Sequence, residues 1–233
     1  MKQTWHKKPL KDVAPSKSAK FPAVDETVWN LSLEEIESGT GKVLREVSSK
    51  VSELGSSKTS FDERNVLYSK LRPYLNKVVV PDKSGVGTSE LIPLFPNPEI
   101  LDREFLAFYL RSPKFLEFAN ANTQGTNLPR VSMANFWQHE IEFPEIEEQW
   151  RIVGRIKECL SRVDEIKHLR EESRKEANSL EEAIFGDFLE DAQRDGCEVV
   201  NLGDVLTKSQ YGTSAKATAD GKGFPVLRMG NIK

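Results

Sequence analysis

Apolar and polar positions divide the chain into three stretches of different rhythm. Residues 1 to about 144 mix short apolar runs with helical spacing, as a mixed α/β domain does. Residues 66–71 and 75–80 read as two short strands, with Pro73 and Tyr74 marking a turn or kink between them. Residues 91–95 and 139–143 are further strand candidates. Residues 101–121 predict two helices. Asp102 is placed to cap the first, and Ser112 followed by Pro113 the second, since proline suits the first helical position. Phe105, Leu106, Tyr109 and Leu110 then face a core.

From Glu145 to about Ala192 the rhythm becomes heptad-like, after an acidic first turn of Glu145, Glu147 and Glu148 that suits a helix dipole. Ile152, Ile156, Cys159, Val163 and Ile166 recur along one face, followed by Ala177, Leu180 and Ile184, with Arg170 and Ser173 interrupting the seam. Unbroken, such a helix reaches roughly 70 Å. Gly154 and Gly186 argue against an unbroken rod, and Gly186 is the expected end, leaving residues 187–192 as a loose turn. A lone helix cannot bury this seam. A helical partner is the preferred expectation, and packing back on the first stretch is the alternative.

The remainder, residues 196–233, repeats the opening. Pro9-Leu10-Lys11-Asp12-Val13 aligns with Asn201-Leu202-Gly203-Asp204-Val205, and Ser16-Lys17-Ser18 with Thr207-Lys208-Ser209. Residues 31–36 align with residues 227–232 in the same order. The chain reads as one repeat unit followed by the truncated opening of a second, which implies pseudo-symmetry in the whole. The expected organisation is therefore residues 1–144, 145–195 and 196–233.

Composition refines this picture. The 233 residues are 38% hydrophobic and 30% charged, enough for a core with a well-charged surface, and the formal net charge of -3 announces no nucleic-acid partner. Its distribution is less neutral: residues 1–80 are basic and the rest acidic, and local patches govern docking. Cys159 and Cys197 lie far apart without metal-ligand spacing, no secretory segment follows Met1, and no apolar run nears the roughly 18 residues of a membrane span. The expectation is a reduced, cytoplasmic protein.

Catalytic patterns are missing. Ser38-Gly39-Thr40-Gly41-Lys42 lacks phosphate-loop spacing and has Val43 where Ser or Thr is needed. His6, His139 and His168 are scattered, and neither cysteine has an evident histidine partner. Asn97-Pro98-Glu99-Ile100 lacks the aromatic of an amino-methyltransferase motif. The expectation is no catalytic residue, no metal and no cofactor in this chain.

Two polar and basic stretches stand out beside the strands. Tyr68-Ser69-Lys70-Leu71-Arg72-Pro73-Tyr74-Leu75-Asn76-Lys77 interleaves cations, aromatics and hydrogen-bonding side chains, and Gln124-Gly125-Thr126-Asn127-Leu128-Pro129-Arg130 is similar. Arg reads guanine edges and Asn or Gln adenine, while Lys and Ser hold phosphates. Candidate DNA contacts are Ser69, Lys70, Arg72, Tyr74, Asn76 and Lys77, then Gln124, Thr126, Asn127 and Arg130, with Lys17, Ser18 and Lys20 from the first loop. Tyr74 fits a core as well as a contact, and Arg130 could instead anchor a loop through a carboxylate.

In these blocks the sequence resembles the specificity subunit of type I restriction–modification systems. Residues 30–41 are similar to its early Leu-Glu-x-Ile…Gly segment, residues 66–77 to its most specific block, and residues 105–122 to a helical segment. Gly125-Thr126-Asn127-Leu128-Pro129-Arg130 is similar to a Gly-Thr-x-x-x-Arg block, and residues 143–153 to the signature that opens a conserved helix. Residues 221–233 resemble the start of another recognition domain. The resemblance implies an α/β (α+β) target recognition domain followed by a long coiled-coil helix. It implies a non-catalytic subunit that reads half of a bipartite DNA site. The helix would act as a spacer and dock methyltransferase subunits that bind S-adenosylmethionine. Translocase–nuclease subunits using ATP and magnesium would join for cleavage. A typical member has two recognition domains and two helical regions, where this chain has one of each. An antiparallel homodimer reading a gapped palindrome is the expectation that follows. An assembly protein that binds methyltransferase subunits without reading DNA is the alternative.

Overall fold

Tyr68 and Leu67 point to opposite sides of one strand, and each enters a different hydrophobic core. That alternation organises the first unit. The computed structural model describes residues 4–55 and 57–206, and the chain divides into two compact units, Met1–Lys167 and His168–Lys233.

In the first unit, β1 (Trp5–Pro9) leads directly into the single-turn helix α1 (Leu10–Val13). Next come β2 (Thr27–Leu31), β3 (Ser48–Lys50), β4 (Lys58–Phe61), β5 (Val66–Ser69) and β6 (Val78–Val79). Two strands joined by a tight turn but belonging to different sheets follow, β7 (Gly85–Thr88) and β8 (Leu91–Leu94). Helices α2 (Arg103–Arg111) and α3 (Pro113–Ala121) precede the short pair β9 (Thr123–Gln124) and β10 (Arg130–Val131). The unit closes with α4 (Met133–Gln138) and β11 (Glu140–Pro144). The long helix α5 spans Ile146–Arg194, and α6 (Leu202–Val205) follows it.

The strands form a four-stranded sheet ordered β3-β2-β7-β4, a three-stranded sheet β6-β5-β8, and the pairs β1-β11 and β10-β9. The three-stranded sheet is the middle layer. Its residues Val66, Tyr68, Val78 and Leu94 face a core closed by α1, α2, α3 and α4. Alternate residues Leu67, Val79 and Leu91 face Trp29, Leu31 and Phe61 of the larger sheet and Ile36 from the segment after β2. Burial on both faces explains why β5 carries no polar alternation until Ser69.

The caps expected at Asp102 and Ser112 are present. The Asp102 carboxylate accepts from the backbone N–H groups of Glu104 and Phe105, and Ser112 ends α2 while its hydroxyl accepts from Phe115 N–H. Leu106 and Leu110 are fully buried and Phe105 nearly so, while Tyr109 is half-buried.

The expected strand over 75–80 is shorter. Pro73–Leu75 forms a 3₁₀ turn, and Arg72 and Asn76, which flank it, both adopt left-handed backbone (φ 48° and 49°). The left-handed backbone at Arg72 turns the chain out of the extended direction, which ends the continuation of β5.

Gly186 does not end the long helix, which continues to Arg194. One glycine costs only about 1 kcal/mol relative to alanine, and the flanking Ala, Leu and Glu are good helix formers. Ion pairs at helical spacing, such as Arg162–Glu158 (2.6 Å) and Arg194–Asp191 (2.9 Å), line its polar surface. Ile152, expected in the partner seam, packs instead against the domain core beside buried Val153, so the first turns of α5 belong to the first unit. Ile156 is half-buried, whereas Cys159, Val163, Ile166, Ala177, Leu180 and Ile184 are exposed.

The sequence repeat has a structural counterpart. Asn201 precedes α6 with φ −68° and ψ 142°, and Pro9 precedes α1 with φ −68° and ψ 146°. Each turn is closed by one backbone bond, Ala14 N–H to Leu10 O (2.8 Å) and Leu206 N–H to Leu202 O (3.1 Å). Their packing differs: Leu10 and Val13 are 0% exposed, whereas Leu202 and Val205 are 71% and 59% exposed. The matches at 207–209 and 227–232, and the resemblance of 221–233, lie outside the described residues.

Candidate nucleic-acid interface

The two polar blocks separated in sequence meet in the structure. Arg72 N–H donates to Pro129 O (2.7 Å), Val131 N–H to Lys70 O (2.9 Å), and Leu71 bridges Arg130. The turn between β7 and β8 joins them, because Lys70 N–H donates to Glu90 O (3.0 Å). Lys70, Arg72 and Arg130 thus gather at one end of β5, the central strand of the middle sheet.

Arg130 is held by a residue that the sequence did not single out. Its Nε lies 3.1 and 3.0 Å from the two Glu90 carboxylate oxygens, its Nη2 lies 2.7 Å from Oε1, and its Nη1 donates to Leu128 O at 3.3 Å. Lys70 Nζ stands 4.0 Å from the same carboxylate. The Arg130 bond, foremost, holds the Glu90 carboxyl below its usual range against the opposing effect of burial, with Lys70 adding to it. The carboxylate anchor considered for Arg130 is therefore present. The signal that could have found Glu90 is a lone acid in the polar tip Thr88-Ser89-Glu90, beside a block carrying uncompensated cations.

Arg72 is exposed, and its left-handed backbone is held by the bond to Pro129 and by Leu75 N–H donating to Arg72 O (2.9 Å). Non-glycine residues take this conformation rarely, and it persists where the surroundings over-determine it. Tyr74 is 54% exposed and projects from the same turn. Gln124, Thr126 and Asn127 are exposed on the neighbouring loop, where Gly125 supplies a φ of 91°. Among the described residues, the side chains of Arg72, Gln124, Thr126 and Asn127 have no hydrogen-bonding or ionic partner.

Other candidates are engaged inside the fold. Ser69 is buried and its hydroxyl donates to Leu71 O (3.0 Å). Asn76 Nδ2 donates to Arg111 O (3.0 Å), and Lys77 Nζ to Leu33 O (2.6 Å). These bonds lock the 3₁₀ turn to α2 and to the loop after β2, so the three side chains are not carried into the interface. Lys17, Ser18 and Lys20 are exposed but lie elsewhere. Lys17 N–H donates to Pro93 O (3.0 Å) and its ammonium sits 4.5 Å over the Phe95 ring, at the far end of β8 from Glu90. Strand rise separates the two ends by about 13 Å.

Among the described residues, no three His, Cys, Asp or Glu are grouped to hold a metal ion, and no helix is long and apolar enough to cross a membrane. Cys159 and Cys197 are free and exposed.

With this arrangement in view, residues 2–176 match the type I restriction modification DNA specificity domain, and the chain belongs to that family. It is 27% identical over 156 residues to the type I restriction enzyme EcoDI specificity subunit of Escherichia coli, covering 67% of this chain and 34% of that protein. It is 32% identical over 103 residues to the EcoAI specificity subunit of the same species, covering 44% of this chain and 18% of that one. The fold is shared with the HsdS subunit from Thermoanaerobacter tengcongensis, with a TM-score of 0.62, 24% identity, and coverage of 76% of this chain and 47% of that one. A chain from a structure describing assembly and conformational transition of the type I R-M system gives 0.67 at 22% identity, covering 81% and 50%. The chain therefore spans about a third of its first curated relative and about half of these solved chains.

Proposed function

We propose that this chain is a non-catalytic DNA-reading subunit that directs partner subunits to a specific sequence. The observation that carries this reading is the meeting of Lys70, Arg72 and Arg130 at one end of the middle sheet, beside the unpartnered amides of Gln124 and Asn127. Lysines hold phosphates and fix register, whereas Arg, Gln and Asn carry base-edge discrimination. Beneath them β5 is buried along its whole length.

The helix supplies the second half of the reading. Val163, Ile166, Leu180 and Ile184 leave an apolar face exposed along α5, joined by Phe185 and Phe188. Two copies pairing these faces antiparallel would recreate a two-domain subunit. Their site would be a palindrome interrupted by unread bases. Methyltransferase subunits carrying S-adenosylmethionine, and translocase–nuclease subunits using ATP and magnesium, are the proposed partners, in the cytoplasm of a bacterial or archaeal cell.

The test is a selection from random duplex DNA, using the chain with its methyltransferase subunit and sequencing the methylated products. A symmetric gapped motif is expected. A single half-site would retain recognition and reject the paired copies. An active complex with no enriched motif would reject recognition and leave a protein that only assembles methyltransferase subunits.

A further inference from the structure

The Arg130 guanidinium carries five N–H donors in a fixed plane. The Nε donor and one on Nη2 are taken by Glu90, and one on Nη1 by Leu128 O. One donor remains on each terminal nitrogen, and both lie in the guanidinium plane. A planar pair of donors is a fork for two acceptors, such as O6 and N7 of guanine or two oxygens of a phosphate. The side chain is 42% exposed, while the Glu90 side chain is 19% exposed and fixed by the β7–β8 turn.

From this geometry we infer that Glu90 is a positioning residue for DNA reading: it clamps the inner edge of Arg130 so that the outer edge is presented ready-formed to a two-acceptor face of the duplex. The inference rests on the proposed DNA-reading role. Glu90 touches no DNA itself. Its acidity would oppose binding, so its contribution is orientation. A carboxylate that only tied two loops together would not need to leave the outer fork free. Lys70, drawn toward the same carboxylate, gains a fixed place beside it.

Glu90→Asp keeps the charge and shortens the reach, so it isolates geometry. Glu90→Gln removes the charge and weakens the clamp. Both variants of the full chain enter the same duplex selection, with thermal melting as a control for folding. If the fork reads guanine, Glu90→Asp relaxes discrimination at one base pair by roughly 5- to 150-fold and leaves the others intact. If it holds phosphate, Glu90→Asp weakens all duplexes alike. Glu90→Gln additionally tightens binding to random duplex, because a negative charge has gone. In an Arg130→Ala background neither Glu90 change alters selectivity further. A wild-type selectivity and affinity retained by both Glu90 variants, with only the melting temperature lowered, overturns the inference and leaves DNA reading standing. A wild-type chain that enriches no motif and binds no duplex overturns the DNA reading itself.

Discussion

Gln149, in the first turns of the long helix, accepts the backbone N–H of Asp102 through its side-chain oxygen at 2.9 Å. Its amide nitrogen donates to Ile100 O and Pro144 O, both at 2.8 Å, and the residue is 0% exposed. Asp102 in turn caps α2, so one buried amide links the start of the long helix to the start of α2. Gln149→Ala removes three bonds and leaves their partners without water. Each buried group so stranded costs about 1–3 kcal/mol. Chemical denaturation should show a loss of at least this size, larger than for Arg151→Ala on the exposed face.

Gly41 has a φ of 73°, and a Cβ there would lie 1.7 Å from Val78 O. Gly41→Ala meets both left-handed strain and a backbone clash. A loss of more than about 1 kcal/mol is expected, whereas Gly154→Ala, which meets nothing within 4 Å, should be neutral or stabilising. Parallel thermal melts would compare them.

His139 sits among Phe115, Phe118 and Tyr109, with Tyr109 Oη 2.9 Å from its Nε2. Burial, first, then Lys114 hold its pKa below the usual 6.5, against the pull of Glu140 and Glu142. The unfolded chain therefore takes up a proton before the folded one does. This contribution to stability is present above about pH 6.5 and is lost as pH falls through the folded value. Melting temperature should fall between neutral and mildly acidic pH, and His139→Gln should flatten that limb.

Val163→Glu with Ile184→Glu places charges on the exposed face of α5. If two copies pair there, light scattering should show the dimer weakened by at least about tenfold, equivalent to about 1.4 kcal/mol. The melting of the recognition unit should not change, since both residues are exposed.

Arg72→Ala removes an exposed cation that has no partner in the fold, so stability should hold while DNA binding weakens. A loss of about 1–3 kcal/mol confined to one base pair marks a base contact, and a uniform loss with a shallower salt dependence marks a phosphate contact. Binding to half-site duplexes across a salt series separates the two.

Helices α2 and α3 were legible because their signals are local. Asp102, Ser112 and Pro113 terminate them without help from distant residues. Strand β1 was not, since Trp5-His6-Lys7-Lys8-Pro9 has no alternation and becomes a strand only by pairing with residues 140–144. Strand β7 was hidden for a different reason. Gly85-Val86-Gly87-Thr88 reads as a loop, yet a Cβ at Gly85 would come within 2.8 Å of the Phe61 ring and of Trp29 O, so glycine is what lets the sheet close. At the interface, the two basic blocks could be read from composition. Which side chains stay outward could not, because Asn76, Lys77 and Arg130 are decided by Arg111, Leu33 and Glu90.

Strands β1 and β11 lie antiparallel, with Trp5 opposite Pro144, so the chain enters and leaves the recognition unit at one point. Loops between those two strands can lengthen or shorten while the two ends stay in register, whereas Ile100 and Asp102 remain tied to the helix through Gln149. The joint is set by one short strand pair and one buried amide, so a change at the far turns would reach the start of the helix only through the core.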